Sequence, residues 1–98
     1  MADAATPRLR RQVEVRELVA WNIRRLRVVR DISAEVLAAD AGIDRAYMSE
    51  IERGLANPTV DMLERIAEVL GVELAEFFVV PDPNELPPKP LRAGRRRR

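Results

Sequence analysis

The chain has 98 residues, 47% hydrophobic and 34% charged, with a net charge of +1 and neither cysteine nor histidine. Such figures describe one globular domain with a modest core, and they exclude disulfides, thiol nucleophiles, thiolate zinc sites and the commonest general base and metal ligand. No apolar run approaches a membrane span, and the polar start lacks a signal peptide's apolar core, so the sequence reads as a cytoplasmic non-enzyme with no cofactor, metal, membrane or small-molecule ligand.

In chain order, residues 1–12 are polar, contain Pro7 and show no periodicity, and read as a flexible arm ahead of a domain over 13–80. Helical periodicity starts near Val13 or Val15. Val15, Leu18, Val19, Ile23 and Leu26 recur at three- and four-residue steps, and this helix should end near Arg30 or Asp31. Residues 34–53 then read as two short helices. Ser33 and Asp44 are suitable N-caps, while Gly42 and Gly54 suit the turns that follow each helix. Leu37, Ala38 and Ala41 mark the inner face of the second helix, Ile43 plugs the turn, and Met48 and Ile51 mark the inner face of the third. Asn57-Pro58 breaks the chain. Thr59 caps a fourth helix with Val60, Leu63, Ile66, Ala67 and Leu70 on its stripe, ended by Gly71, and a short fifth helix spans about Leu74 to Val79. Beyond it, the prolines and Arg95 to Arg98 of residues 81–98 read as a disordered Pro/Arg-rich tail. The fold expected is all-α: a compact five-helix domain containing a helix–turn–helix.

A helix–turn–helix this tight sets its second helix at a steep angle, with one face free for a DNA major groove. With Met48 and Ile51 inward, Ala46, Ser49, Glu50 and Arg53 fall on the opposite face of the third helix, with Arg45 to one side and Tyr47 and Glu52 at the borders. Arg45 suits a guanine edge or a phosphate, Ser49 donates or accepts, Glu50 suits a cytosine amino group and Ala46 a thymine methyl. The same pattern also fits the solvated side of a surface helix. Glu52 borders the core, where an unpaired carboxylate is unfavourable. Arg27, late in the first helix, is its candidate partner in a structural brace. The alternative is an ordinary exposed glutamate.

Asn22-Ile-Arg-Arg-Leu-Arg27, Leu37-Ala38, Ala41-Gly42-Ile43, Tyr47-Met-Ser-Glu-Ile-Glu-Arg-Gly54, Asn57-Pro58 and Ile66-Ala-Glu-Val-Leu-Gly-Val72 together resemble the phage-repressor-like, Cro/C1-type (XRE) helix–turn–helix family, whose fold is the lambda-repressor-like domain. The resemblance covers about residues 18 to 79. Asp44 to Gly54 is especially similar to the controller proteins of restriction–modification systems. The resemblance implies a transcriptional regulator, a repressor or autoregulator, that binds palindromic double-stranded DNA as a homodimer. By the same resemblance, bases are read from Arg45, Ala46, Ser49 and Glu50. Phosphates are met by the start of the second helix at Ser33 and Ala34, by the loop at Asn57, and by Tyr47 and Arg53, with Asp44 at the head of the reading helix. The family's arginine–glutamate brace falls on Arg27 and Glu52. Dimer pairing through the last two helices would involve Leu74, Phe77 and Phe78, although core packing also explains those phenylalanines.

Several residues depart from the family pattern. Ala34 stands where a polar residue usually touches the backbone, Asp31 where glycine is common, and Val36 where an acid usually completes a capping box after Ser33. The loop Leu55-Ala56-Asn57 lacks the usual lysine or arginine. Charge is also unevenly spread. Residues 8 to 30 hold eight arginines against Glu14 and Glu17, a balance of +6, whereas residues 31 to 80 hold three arginines against eleven acids, a balance of −8. After residue 80, six bases face two acids, a balance of +4. The reading motif is therefore acidic, and attraction to phosphate must come from the first helix and the ends. An acidic third helix also fits a second class of function, a protein-interaction scaffold of the same fold without sequence-specific DNA binding.

Overall fold

Four α-helices and a short 3-10 turn account for the regular structure of the described residues: α1 (Ala5–Val29), α2 (Ala34–Ala41), α3 (Arg45–Glu52), α4 (Val60–Leu70) and the 3-10 turn (Leu74–Phe78). They belong to a computed structural model that describes residues 5–81, with side chains from Glu14 onward. Residues 1–4 of the expected arm, and the expected tail after Pro81, lie outside the described residues. No strand occurs among the described residues, and none of their helices is long and apolar enough to cross a membrane.

Two expectations are corrected. The segment read as an arm is helical from Ala5, so α1 runs 25 residues. Pro7 does not prevent this, because it falls in the first turn, where a backbone N–H has no intrahelical acceptor to lose. Arg8-Leu9-Arg10-Arg11-Gln12 are all good helix formers. The expected fifth α-helix is instead a five-residue 3-10 turn, opened by the i→i+3 bond from Glu76 N–H to Glu73 C=O at 2.9 Å. So short a segment gains too few hydrogen bonds to nucleate an α-helix.

Helix boundaries follow from local chemistry. Ser33, Asp44 and Thr59 each accept from the backbone N–H three residues on, at 3.1, 3.2 and 3.0 Å, and so cap α2, α3 and α4. All four helices end on one pattern, in which the residue after a left-handed position donates to the carbonyl five residues back: Ile32 to Arg27, Ile43 to Ala38, Leu55 to Glu50 and Val72 to Ala67, at 2.9–3.1 Å. Glycine takes the left-handed position at residues 42, 54 and 71, but α1 ends on Asp31 at φ 57°. Gly54 is needed for a second reason. A Cβ there would sit 3.3 Å from Glu17 Cγ and 3.5 Å from Glu17 Cα, so the chain leaving α3 lies directly against α1.

Packing brings α1 onto α3 and the 3-10 turn, and α2 onto α3 and α4. Ile23, Leu37, Met48, Ile51, Ile66, Leu70 and Phe77 are the large, fully buried apolar side chains of the shared core. The stripes drawn from sequence overreach at their ends. Val15 and Val60 are exposed, since each lies where its helix has run past the body it packs on or has only begun to reach it.

Asp31 is unfavourable twice over, as a non-glycine residue in the left-handed region and as a negative charge at a helix C-terminus. Replacing it with glycine, Asp31→Gly, is expected to stabilise the fold by about 0.5–1 kcal/mol, offset in part by the greater freedom of glycine in the unfolded chain. A urea denaturation series measures this; a lower midpoint in the variant would contradict the assignment of strain to Asp31.

Candidate nucleic-acid interface

The centre of the site is a buried ion pair. Arg27 on α1 donates from Nε to Glu52 Oε2 at 2.7 Å and from Nη2 to Oε1 at 2.8 Å, a bidentate fork with both side chains under a tenth exposed. Its remaining Nη1 donates to Ile32 C=O at 3.0 Å, so one guanidinium ties the end of α1, the α1–α2 turn and the last turn of α3 together. Arg24, one turn earlier, donates from Nη1 to the Glu52 backbone carbonyl and satisfies a C-terminal orphan of α3. The brace thus forms as the sequence placed it, between Arg27 and Glu52.

With Met48, Ile51 and Glu52 inward, α3 turns Arg45, Ala46, Ser49 and Glu50 to solvent, followed by exposed Arg53 in the turn. Tyr47 is half-buried and packs on the core edge. Asp44 is exposed, and its carboxylate is occupied in capping Tyr47 N–H. Ser33 and Ala34 are half-buried at the start of α2, with the Ser33 hydroxyl accepting from Val36 N–H and leaving its own proton free to donate. Asn57 is exposed in the loop after α3. Of the expected residues, the structure brings Arg45, Ala46, Ser49 and Glu50 together on the outer face of α3, with Glu35 of α2 beside Arg45, whereas Asn57 lines a cavity with Val15, Leu63 and Phe78.

Of the three residues expected at a dimer face, Phe77 is corrected. It has no exposed surface, because the 3-10 turn points it into the core beside Leu70 and Ile23. Leu74 is half-buried against that core, and only Phe78 is substantially exposed, at 45%, next to exposed Val79 and Val80.

Three polar devices escaped sequence reasoning. Asn22 is fully buried on α1. Its Nδ2 donates to Phe77 C=O and Val79 C=O at 2.9 Å each, with Leu18 C=O at 3.1 Å, while its Oδ1 accepts from Arg25. This fastens the 3-10 turn to α1. The signal was present, since an asparagine three residues after Val19 and four before Leu26 lies on the core side of the helix. Arg65 Nε donates to Ala41 C=O at 2.8 Å and satisfies the C-terminus of α2 from α4. Finally, Arg45 Nη1 and Glu35 Oε2 pair at 2.8 Å across the two helices of the motif. No cluster of metal-ligating side chains occurs among the described residues.

A helix–turn–helix family model, HTH_3, matches residues 23–77, the segment from mid-α1 to the 3-10 turn. An uncharacterised HTH-type transcriptional regulator, y4dJ of Sinorhizobium fredii, is 37% identical over 70 residues, covering 71% of this chain and 91% of its own length. The control protein C.BamHI of Bacillus amyloliquefaciens is 37% identical over 60 residues, covering 60% of this chain and 74% of its own. Among solved structures, the restriction–modification controller protein C.AhdI from Aeromonas hydrophila superposes with a TM-score of 0.63 at 32% identity, over 64% of this chain and 96% of that one.

The brace makes a quantitative expectation. Glu52→Gln keeps the volume but leaves Arg27 as a buried cation with a neutral partner, and is expected to destabilise the fold by about 2–4 kcal/mol. Replacing both partners with apolar residues, Arg27→Met with Glu52→Leu, should recover most of that loss. Chemical denaturation of the single and double variants measures both. A single variant as stable as the parent would remove the brace from the account.

Proposed function

The chain belongs to the HTH_3 helix-turn-helix family, of the XRE or Cro/C1 type, and on that premise we propose that it is a DNA-binding transcription regulator, a repressor or autoregulator whose α3 enters the major groove of a palindromic operator. The observation that carries the reading is the single solvent-facing surface of Arg45, Ala46, Ser49 and Glu50, held in place by a buried brace on the opposite side of the same helix. Those side chains supply a bidentate donor, a methyl, a hydroxyl and a carboxylate acceptor, a set able to tell base pairs apart in the major groove. Phosphates are met around this surface by Ser33 and the N–H groups at the start of α2, by Tyr47 and Arg53, and by Asn57, with Asp44 holding the head of α3.

The acidic motif limits the grip of one subunit. A homodimer answers that limit by presenting two copies of α3 about 34 Å apart along one face of the duplex, the spacing of one DNA turn. Phe78, Leu74 and the adjoining Val79 and Val80 form the apolar edge on which two copies would meet, with Phe77 retained in each core. Exposed Arg30 and half-exposed Arg16 and Arg24 on α1 add positive charge outside the motif. Relatives that carry the names transcriptional regulator and control protein support this reading.

Selection of bound sequences from a random duplex library at about 0.15 M salt, with the full chain, tests the proposal. Enrichment of a two-fold symmetric sequence is expected. Binding without any enrichment, fading uniformly as salt rises, would contradict it and favour a protein-interaction scaffold of the same fold, which the acidity of residues 31–80 would suit.

A further inference from the structure

A cavity of about 170 Å³ opens between α1, the loop after α3 and the 3-10 turn. Val19 and Leu63 of the core line it, together with Val15 and Phe78, which are 43% and 45% exposed. Arg16 and Asn57 add polar groups to a mainly apolar lining. A space of this size takes one leucine or aromatic side chain, since about 150 Å³ lined by Leu, Ile and Phe holds a benzene. The sequence supplies an occupant. Phe78 lines the cavity, and the described residues end three positions later, at Pro81. From Asp82 to Arg98, Leu86 and Leu91 are the only large apolar side chains besides proline. Asp82-Pro83-Asn84-Glu85 carries the preferences of a type I turn, Asp in first place and Pro in second, and such a turn brings its two ends within about 7 Å. A reversal there returns the chain towards Phe78 with Leu86 next in line. Five residues from Pro81 span at most about 17 Å, enough for a cavity whose wall stands three residues before it. Glu85, beside Leu86, complements the charge of Arg16.

We propose that Leu86 docks in this cavity and that the docked segment lays Lys89 and Arg92 beside the loop at Asn57, where they meet DNA phosphates. A lone leucine gains little from a bimolecular encounter, but a short tether makes the step intramolecular, at millimolar effective concentration. Burial of Leu86 against Val15, Val19, Leu63 and Phe78 removes apolar surface from water on both sides. Pro87, Pro88 and Pro90 favour an extended polyproline run at about 3.1 Å per residue, which puts Lys89 about 9 Å and Arg92 about 19 Å from the anchor. The loop Leu55-Ala56-Asn57 has no base of its own, and it is the loop that the proposed function sets against the backbone. Docking thus supplies from beyond Pro81 part of the positive charge that residues 31–80 lack. The phosphate contact rests on the DNA-binding function given above; the docking does not.

Methyl NMR of the full chain without DNA tests the docking. Nuclear Overhauser contacts are expected from the Leu86 methyls to those of Val19 and Leu63. Leu86→Ser should shift the methyls of Val15, Val19 and Leu63, whereas Leu91→Ser should leave them in place. Those methyls unmoved by Leu86→Ser, or moved by Leu91→Ser instead, would overturn the proposal. So would shifts that fade on tenfold dilution of the wild type, which would assign the cavity to a second copy. The placing of charge is read by titrating one unrelated duplex across a salt series. The Lys89→Ala, Arg92→Ala double variant should reduce the slope of log affinity against log salt by about 1 to 2 and leave the cavity methyls unshifted. Leu86→Ser, which changes no charge, should reduce the same slope by about 1 to 2 and weaken binding about twofold to tenfold at 0.15 M salt. An unchanged slope in Leu86→Ser would overturn the proposal and leave the DNA-reading function intact. If wild type enriches no sequence in selection, the reading function fails while the methyl contacts still decide the docking.

Discussion

The bidentate contact between Arg27 and Glu52 carries a constraint that almost every other feature obeys. Two opposite charges sit under the surface, and their fork geometry fixes how α3 is rotated about its own axis relative to α1. A rotation of α3 by one residue, about 100°, would draw the Glu52 carboxylate away from Arg27 and turn Arg45 or Ser49 inward instead. Hydrophobic packing of Met48 and Ile51 alone would tolerate intermediate angles, because apolar contact is not directional. Buried charge does not tolerate them, since a broken pair leaves an ion without solvent or partner. Arg24 on the Glu52 carbonyl and Arg27 on the Ile32 carbonyl extend the same control to the end of α3 and the turn before α2.

Electrostatics divide the labour in this small domain. Basic residues are concentrated before residue 31, while the motif and α4 are acidic. Several of the motif's acids have local partners: Asp44 caps α3, Glu52 braces it and Glu35 lies beside Arg45. Of these only the Glu52 charge is buried, while Asp44 and Glu35 remain exposed. Under the proposed function, general attraction to phosphate then falls to α1 and to a second subunit rather than to the motif.

Much of this was legible in the sequence. Side-chain caps at Ser33, Asp44 and Thr59, glycines at helix ends, and the 3.6-residue periodicity each act over a few residues, so α2, α3 and α4 are found where local rules put them. The brace was legible for a different reason: a carboxylate at the core border demands a partner, and Arg27 is one of the arginines late in the neighbouring helix. What escaped reading depends on long-range contact or on competing local signals. Asn22 bonds carbonyls 55 and 57 residues away, and the length of α1 was hidden by a proline that is harmless in a first turn. Phe77 and Phe78 are neighbours of one chemical type, and only the 3-10 geometry separates the core residue from the exposed one. The Glu35–Arg45 pair joins two exposed side chains whose meeting follows from the crossing of α2 and α3, not from spacing within either.

The central claim is that the braced outer face of α3 is the surface that meets DNA. Backbone amide chemical shifts followed by NMR, as the selected duplex is added at about 0.15 M salt, test it most directly. The account predicts the largest changes at Arg45, Ala46, Ser49 and Glu50, with a second group at Ser33 and Ala34 and little change along α4. Changes confined to α1 or to the 3-10 turn, with α3 unmoved, would contradict it.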